Sequence, residues 1–161
     1  MLDNFRMNGI KFIKYNPLNE EHFVYLQEFA IDENKHNYYP GWQYFLSDYI
    51  NNNTNGKDIV YLLKTNENFI GICTVDLDEE DRAVIAVGLL SKCNPLLYNQ
   101  VRGTIVKYLQ DNGINDTVEY LKIEDKKELE NWYKKGFKVT PIGNSSYFEI
   151  KYLEENKNIR K

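Results

Sequence analysis

Cysteine, proline, glycine, alanine and histidine are all scarce in this chain of 161 residues, at 2, 4, 9, 3 and 2. Each shortage removes a class of protein. Two cysteines, Cys73 and Cys93, cannot form a disulfide scaffold, and residues 1–6 hold no apolar stretch of the kind that opens a secretory signal. Free thiols and a cytoplasmic setting are therefore expected. His22 and His36 are too few, and too poorly spaced against the cysteines, for a metal site. The longest apolar run, Ala83 to Leu90, is eight residues, whereas a membrane span needs about 20. Basic side chains number 20 against 24 acidic, a formal charge of −4. Without a basic block, nucleic acid is a poor partner, because Lys and Arg must displace its counterions. The signatures of a Walker loop, a His-Glu-x-x-His zinc site and a Gly-x-Ser-x-Gly nucleophile elbow are all missing.

What is present is core-forming material. Hydrophobic residues make up 42% and aromatic residues 14%, enough to offset the ordering entropy of one domain spanning residues 1–161. Asparagine is abundant, which we read as nucleotide bias in an AT-rich genome, so the run at 51–53 needs no functional account. No internal period and no linker divides the chain.

Local patterns alternate between period two and helical spacing. Residues 10–15 alternate and are rich in β-formers, so they predict a first strand ending before Pro17. Asn19 is a predicted N-cap, with Leu18 and Phe23 spaced as a hydrophobic staple, and the helix runs to about Ile31 with Phe23, Leu26 and Ala30 inward. In a second helix, Trp42, Phe45, Leu46, Tyr49 and Ile50 fall on one stripe. Residues 59–64 and 69–77 read as two strands of a meander, and 83–90 as a central strand buried on both faces. Asn94-Pro95 predicts the start of a helix carrying Leu97, Val101, Ile105, Tyr108 and Leu109, stopped by Gly113. Residues 118–123 form another strand. Asp125 and Glu128 have capping-box spacing before a short helix with Leu129, Trp132 and Tyr133, stopped by Gly136. Strands near 137–142 and 147–153 complete the core at 9–153, ahead of a charged tail at 154–161. The order is β-α-α-β-β-β-α-β-α-β-β, an α+β (mixed α/β) domain: a twisted, mostly antiparallel sheet of about seven strands with four helices on both faces.

Three features place that order beside a known family. Phe69-Ile-Gly71 resembles the hydrophobic-Val-Gly that opens the third strand of GNAT N-acetyltransferases. The apolar strand 83–90 followed by a long helix is similar to the family's acetyl-CoA motif. Asn131-Trp-Tyr-Lys-Lys-Gly-Phe137 resembles its Leu-Tyr-Glu-Lys-Leu-Gly-Phe ending, one residue shorter. The resemblance covers about residues 9–153. It implies transfer of an acetyl group from acetyl-CoA to a primary amine of a small molecule or peptide, within a ternary complex, by a monomer or homodimer. It also implies that the strands at 83–90 and 118–123 splay apart, so that the pantetheine arm adds beside the backbone of Val87, Gly88, Leu89 and Leu90.

A helix N-terminus offers amide donors to phosphate, here from about Asn94 through Leu96 and Leu97, and Asp125 falls to the cofactor as well. The family pattern Gln/Arg-x-x-Gly-x-Gly/Ala is not kept, since no glycine lies between Leu90 and the helix. Gln100-Val-Arg-Gly-Thr-Ile105 matches part of it but sits inside the helical stripe, so the phosphate turn belongs near Lys92–Leu97.

Acetyl transfer needs a base for the ammonium, a donor for the developing oxyanion and an acid for the leaving thiolate. The backbone N–H of Leu89 suits the carbonyl. Tyr133 resembles the family's tyrosine acid. It also suits plain packing beside Leu129 and Trp132, and the shorter ending allows a register in which Trp132 takes its place. Asp76 is the candidate base, with Asp78, Glu124 and His36 behind it, although each reads more readily as a solvated surface charge. The aromatic segment with His36, Tyr38, Tyr39 and Trp42 matches the family's variable acceptor region, though Tyr39 and Trp42 also suit anchoring the second helix. An inactive GNAT-like binding module is the alternative that the glycine-free turn favours.

Overall fold

The computed structural model of the chain describes residues 2–32, 58–77 and 82–152. The expected helix at 42–50, the acceptor candidates His36, Tyr38, Tyr39 and Trp42, the acidic turn 78–81 and the tail lie outside them. In chain order the elements are β1 (Phe5–Met7), β2 (Ile10–Lys14), α1 (Glu20–Ala30), β3 (Asp58–Thr65), β4 (Asn68–Leu77), β5 (Arg82–Leu89), α2 (Leu97–Asp111), β6 (Asp116–Lys122), α3 (Lys126–Lys134), β7 (Lys138–Pro141) and β8 (Tyr147–Tyr152). They build one eight-stranded sheet in the order β1-β2-β3-β4-β5-β6-β8-β7. Every neighbouring pair is antiparallel except β5 with β6.

The mixed α/β class and the mostly antiparallel sheet are as expected. The strand count differs by one, because the chain opens with a hairpin: Asn8 and Gly9, at φ 55° and 78°, turn β1 back along β2. Asn-Gly is the strongest short hairpin signal, since both central residues of the turn need positive φ. It stood in the sequence unread.

Side-chain alternation on the buried strands sorts the core into two layers. Tyr61, Leu63, Cys73, Val75, Ile85, Val87 and Leu89 face one side, where they meet Val101, Ile105 and Leu109 of α2, with Leu129 and Trp132 of α3 packed alongside. Val60, Leu62, Ile72, Ala86 and Leu90 face the other side and meet Leu26 and Phe29 of α1. The N-terminal hairpin is fastened to the first layer by aromatic stacking. Phe5 lies flat between Phe12 and Tyr108, at ring-centroid distances of 4.3 and 3.6 Å.

The predicted caps form at both short helices. Asn19 accepts from the N–H of His22 at 3.2 Å, and Asp125 from that of Lys127 at 2.9 Å. The staple does not form, for Leu18 is 91% exposed. The inner face of α1 is Leu26 and Phe29, with Ala30 exposed, rather than the expected Phe23-Leu26-Ala30 stripe.

Gly71 has a physical requirement. A Cβ there would lie 2.1 Å from the carbonyl oxygen of Gly88 and 2.8 Å from the Cα of Leu89, both rigid backbone on β5. Gly71 and Leu89 are register partners, so a side chain would push β4 away from the end of the central strand. Gly71→Ala should destabilise the protein by about 3 kcal/mol, read as a lower urea midpoint at unchanged slope.

Candidate active site

The sheet opens between β5 and β6. Their parallel ladder runs from Arg82 beside Asp116 to Ile85 beside Glu119 and stops there. β5 continues to Leu89 on the β4 side, with Gly71 opposite Leu89, while β6 continues to Lys122 on the β8 side, opposite Tyr147. Past Ile85 the inner edges of two strands therefore part, and the edge of β5 faces a wedge. The expected splay is present, beginning at Ala86.

The fork holds a buried ion pair. Glu119, 1% exposed, accepts from Nε of Arg102 at 2.9 and 3.1 Å through its two carboxylate oxygens, and from the Tyr152 hydroxyl at 2.8 Å. A carboxylate so placed needs such partners, because desolvation without them would cost several kcal/mol. Burial alone would pull the Arg102 pKa down, but the Glu119 carboxylate outweighs it and the net shift is upward. The guanidinium also lies over the Tyr98 ring at 5.1 Å and the Trp132 ring at 5.9 Å, and Lys135 approaches Trp132 at 5.9 Å.

Around this pair the wedge widens into two adjoining hollows of about 490 and 450 Å³. Both are bordered by Asn99, Arg102, Trp132 and Lys135. The larger reaches down to Val87 on β5 and out to Leu121 and Lys122 on β6. Together they form a groove between α2, α3 and the parted strands, large enough for an extended ligand.

The backbone expected to face that groove is only partly open to it. Leu90 donates to the Ile70 carbonyl of β4 at 2.8 Å. N–H groups alternate sides along a strand, so that of Leu89 points into the wedge, where it meets the Tyr98 hydroxyl at 3.3 Å.

The phosphate turn departs from expectation. Asn94 Oδ1 accepts from the N–H of Leu96 at 3.0 Å, and the N–H groups of Leu97 and Tyr98 reach back to the carbonyls of Asn94 and Pro95 at 3.0 and 3.1 Å. Pro95 has no N–H. Asn94-Pro95 thus winds a tight turn of its own, and α2 begins only at Leu97. The amides of Leu96 and Leu97, expected to stand free for phosphate, bond within the turn. Three residues before Asn94, Ser91 donates through both its N–H and its hydroxyl to Asp32, just past the end of α1, at 3.0 and 3.2 Å.

Other expected residues fall away from the groove. Asp76 is paired with Val84, five residues along from the Gly71–Leu89 pair and on the closed side of the fork. That is roughly 16 Å at the rise of a strand, too far for a carboxylate to take a proton beside Leu89. Tyr133 is 52% exposed and its hydroxyl donates to the Val139 carbonyl at 3.4 Å, across from β7. Trp132, one position earlier on the helix, faces the groove instead. Asp125 caps α3 and does not border either hollow.

Arg102, Glu119, Tyr152 and Tyr98 escaped the sequence reading. The available signal was a charge interrupting each of two otherwise apolar patterns, Arg102 beside Val101 and Glu119 after Val118. Neither thiol is poised for attack: burial pushes the pKa of both Cys73 and Cys93 upward. Among the described residues, no group of His, Cys, Asp or Glu could hold a metal ion, and no helix is long and apolar enough to cross a membrane.

No protein-family model and no curated protein sequence matches the chain. Solved structures do. A mutant of the spermidine N-acetyltransferase SpeG from Vibrio cholerae superposes with a TM-score of 0.68 at 10% identity, covering 96% of this chain and 100% of the other. The Campylobacter jejuni N-acetyltransferase PseH in complex with acetyl coenzyme A gives 0.58 at 13% identity, with 90% and 99% covered. The PaiA N-acetyltransferase of Thermoplasma acidophilum in complex with coenzyme A gives 0.60 at 17%, with 89% and 98% covered. The fold is that of the GNAT N-acetyltransferases. In this chain the β5–β6 edge is opened, and the Arg102–Glu119 pair lies at the fork.

Glu119→Leu should cost about 3–5 kcal/mol by leaving Arg102 uncompensated, and Arg102→Met combined with it should restore part of the loss. Chemical denaturation of the wild type, the two single variants Glu119→Leu and Arg102→Met, and the double variant measures the coupling.

Proposed function

We propose that the chain is an N-acetyltransferase that carries an acetyl group from acetyl-CoA to a primary amine of a small molecule or peptide, by direct transfer in a ternary complex. The observation that carries this reading is the wedge between β5 and β6, where the strands part after Ile85 and the end of a central strand faces a groove. Solved proteins of the same fold with acetyl coenzyme A or coenzyme A bound support it.

The residues present fit the pantetheine arm. An extended chain can add beside Val87, Gly88, Leu89 and Leu90 once the Leu89 N–H is released from Tyr98, gaining backbone hydrogen bonds as a strand does. When bound, acetyl-CoA supplies an activated thioester. The Leu89 N–H then serves to polarise its carbonyl. Near the pyrophosphate end we place Asn94, Leu96 and Leu97 of the turn, and leave out Asp125, which caps α3 away from both hollows. Since the turn's amides are largely taken, the positive charge comes from side chains that border the groove, chiefly Lys122, Lys134 and Lys135. The raised thiols of Cys73 and Cys93 favour direct transfer over an acetyl-cysteine intermediate. Tyr133, the acid that the resemblance implies, must leave Val139 and turn inward to reach the groove. The acceptor is assigned to His36, Tyr38, Tyr39 and Trp42 on the same resemblance, and a panel of spermidine, an aminoglycoside, free amino acids and peptide N-termini would define its class.

A second reading has its own observations. The internally bonded phosphate turn and the outward Tyr133 suit a GNAT-like module that binds without catalysing. Acetyl-CoA titration with an amine panel separates the two. For the enzyme, acetyl-CoA at a hundredfold above its Kd should stabilise the fold by about 2.7 kcal/mol, roughly 8 °C in Tm, and acetylated product should accumulate. Binding without product on any amine supports the module. No binding at millimolar acetyl-CoA sinks the cofactor assignment altogether.

A further inference from the structure

Three tyrosines lie close to the groove, and their hydroxyls have different employment. That of Tyr133 is on the far side of α3 with Val139, and that of Tyr152 donates to Glu119 inside the fork. Tyr98 alone of the three has its hydroxyl in the wedge, on the N–H of Leu89 at 3.3 Å. There it accepts a hydrogen bond and keeps its own proton to donate. Its ring is held in place by the Arg102 guanidinium at 5.1 Å, itself fixed by Glu119, and Tyr98 borders the larger hollow beside Val87.

We propose that Tyr98 is the acid that protonates the leaving thiolate, the role that the family resemblance would give to Tyr133. This rests on the acetyltransferase reading of the same groove. When the thioester carbonyl takes over the Leu89 N–H, the phenol is released within one hydrogen-bond length of the reacting group. The amine nitrogen forms the new C–N bond, the C–S bond breaks and its electron pair stays on sulfur. The Tyr98 O–H proton passes to that sulfur, yielding the free thiol. The phenolate then recovers, through water, the proton that the amine nitrogen gives up. The group is suited to this: burial raises the phenol's pKa above its ordinary value, keeping it protonated at neutral pH. Trp132, which borders the groove, has only an indole N–H and cannot deliver such a proton.

The test uses the full chain, an acceptor amine found by the panel and two substitutions. Tyr98→Phe should lower kcat roughly 10²-fold while the calorimetric Kd for CoA changes less than threefold, and Tyr133→Phe should stay within twofold of wild type. Replacing Tyr98 by 3,5-difluorotyrosine, which keeps the hydroxyl but makes it more acidic, should add an alkaline fall in kcat that the wild type lacks. Its fluorine resonance should shift when CoA is added, and the same probe at position 133 should not. If Tyr98→Phe does not fold, the difluorotyrosine protein carries the test alone. A Tyr98→Phe protein with full kcat and tighter CoA binding overturns the proposal and makes the phenol a plug that the cofactor displaces. Loss of rate in Tyr133→Phe, with the fluorine shift at 133, returns the role to that residue. Wild-type protein that acetylates no amine overturns the acetyltransferase reading itself, whereas an active wild type indifferent to Tyr98 overturns only the acid.

Discussion

The contact between Arg102 and Glu119 governs more of this molecule than its two side chains suggest. A carboxylate with 1% exposure is tolerable only with its hydrogen-bonding capacity filled, and the partners come from separate elements: Arg102 from α2 and Tyr152 from β8. Satisfying Glu119 therefore demands that α2 cross the sheet at the fork. It also demands that β8 take the register that pairs Ile150 with Glu119 and places Tyr152 beside Thr117. The same guanidinium then presents its faces to Tyr98 and Trp132. Helix α3 has no fully buried residue, so its seat depends on Leu129, Trp132 and the cations around the indole. The wedge, the helix that covers it and the hydroxyl that enters it share one electrostatic anchor.

Where information is local, the sequence was readable. The alternation in residues 59–64 and the doubly apolar run after Arg82 became β3 and β5, and the caps at Asn19 and Asp125 form, on the N–H groups of His22 and Lys127. A strand buried on both faces and an N-cap each depend on neighbours a few residues away. The hairpin at Asn8-Gly9 was equally local, and its reading failed only because a three-residue strand is too short to show alternation. The site was less legible because its parts are remote. Arg102 and Glu119 are 17 residues apart, and Glu119 and Tyr152 are 33 apart. No periodicity announces that a charge in each segment is meant for the other. The choice between Trp132 and Tyr133 turned on the rotation of a short helix, which one residue more or less before Gly136 resets by about 100°.

A different economy governs the turn after β5. In a phosphate loop, glycines let the backbone come close while amide donors stay unspent. Here Asn94 and Pro95 spend them: the asparagine side chain takes one, its carbonyl another, and proline has none to give. What results is a rigid entry to α2 that holds Tyr98 at the wedge. Rigidity and anion affinity are in competition at this turn, and the residues chosen favour rigidity.

That choice changes the physics by which an anion would be held. Amide donors fixed at a helix end act at contact distance and are weakly screened, whereas lysine ammonium groups on flexible stems act from solvent, where charges lose most of their interaction beyond about 8 Å at physiological salt. Asp32, bonded to Ser91 at the entry to the same turn, adds negative charge where an incoming phosphate would prefer none. For the proposed cofactor, recognition would then lean on the edge of β5, where hydrogen bonds with backbone are insensitive to salt, more than on the phosphates. The arrangement suits a groove that selects its ligand by the extended arm and the group at its tip. It also explains why the chain can have the GNAT fold without glycines in the turn after β5. The opened strand edge survives, because it is set by the buried pair at the fork and not by the turn.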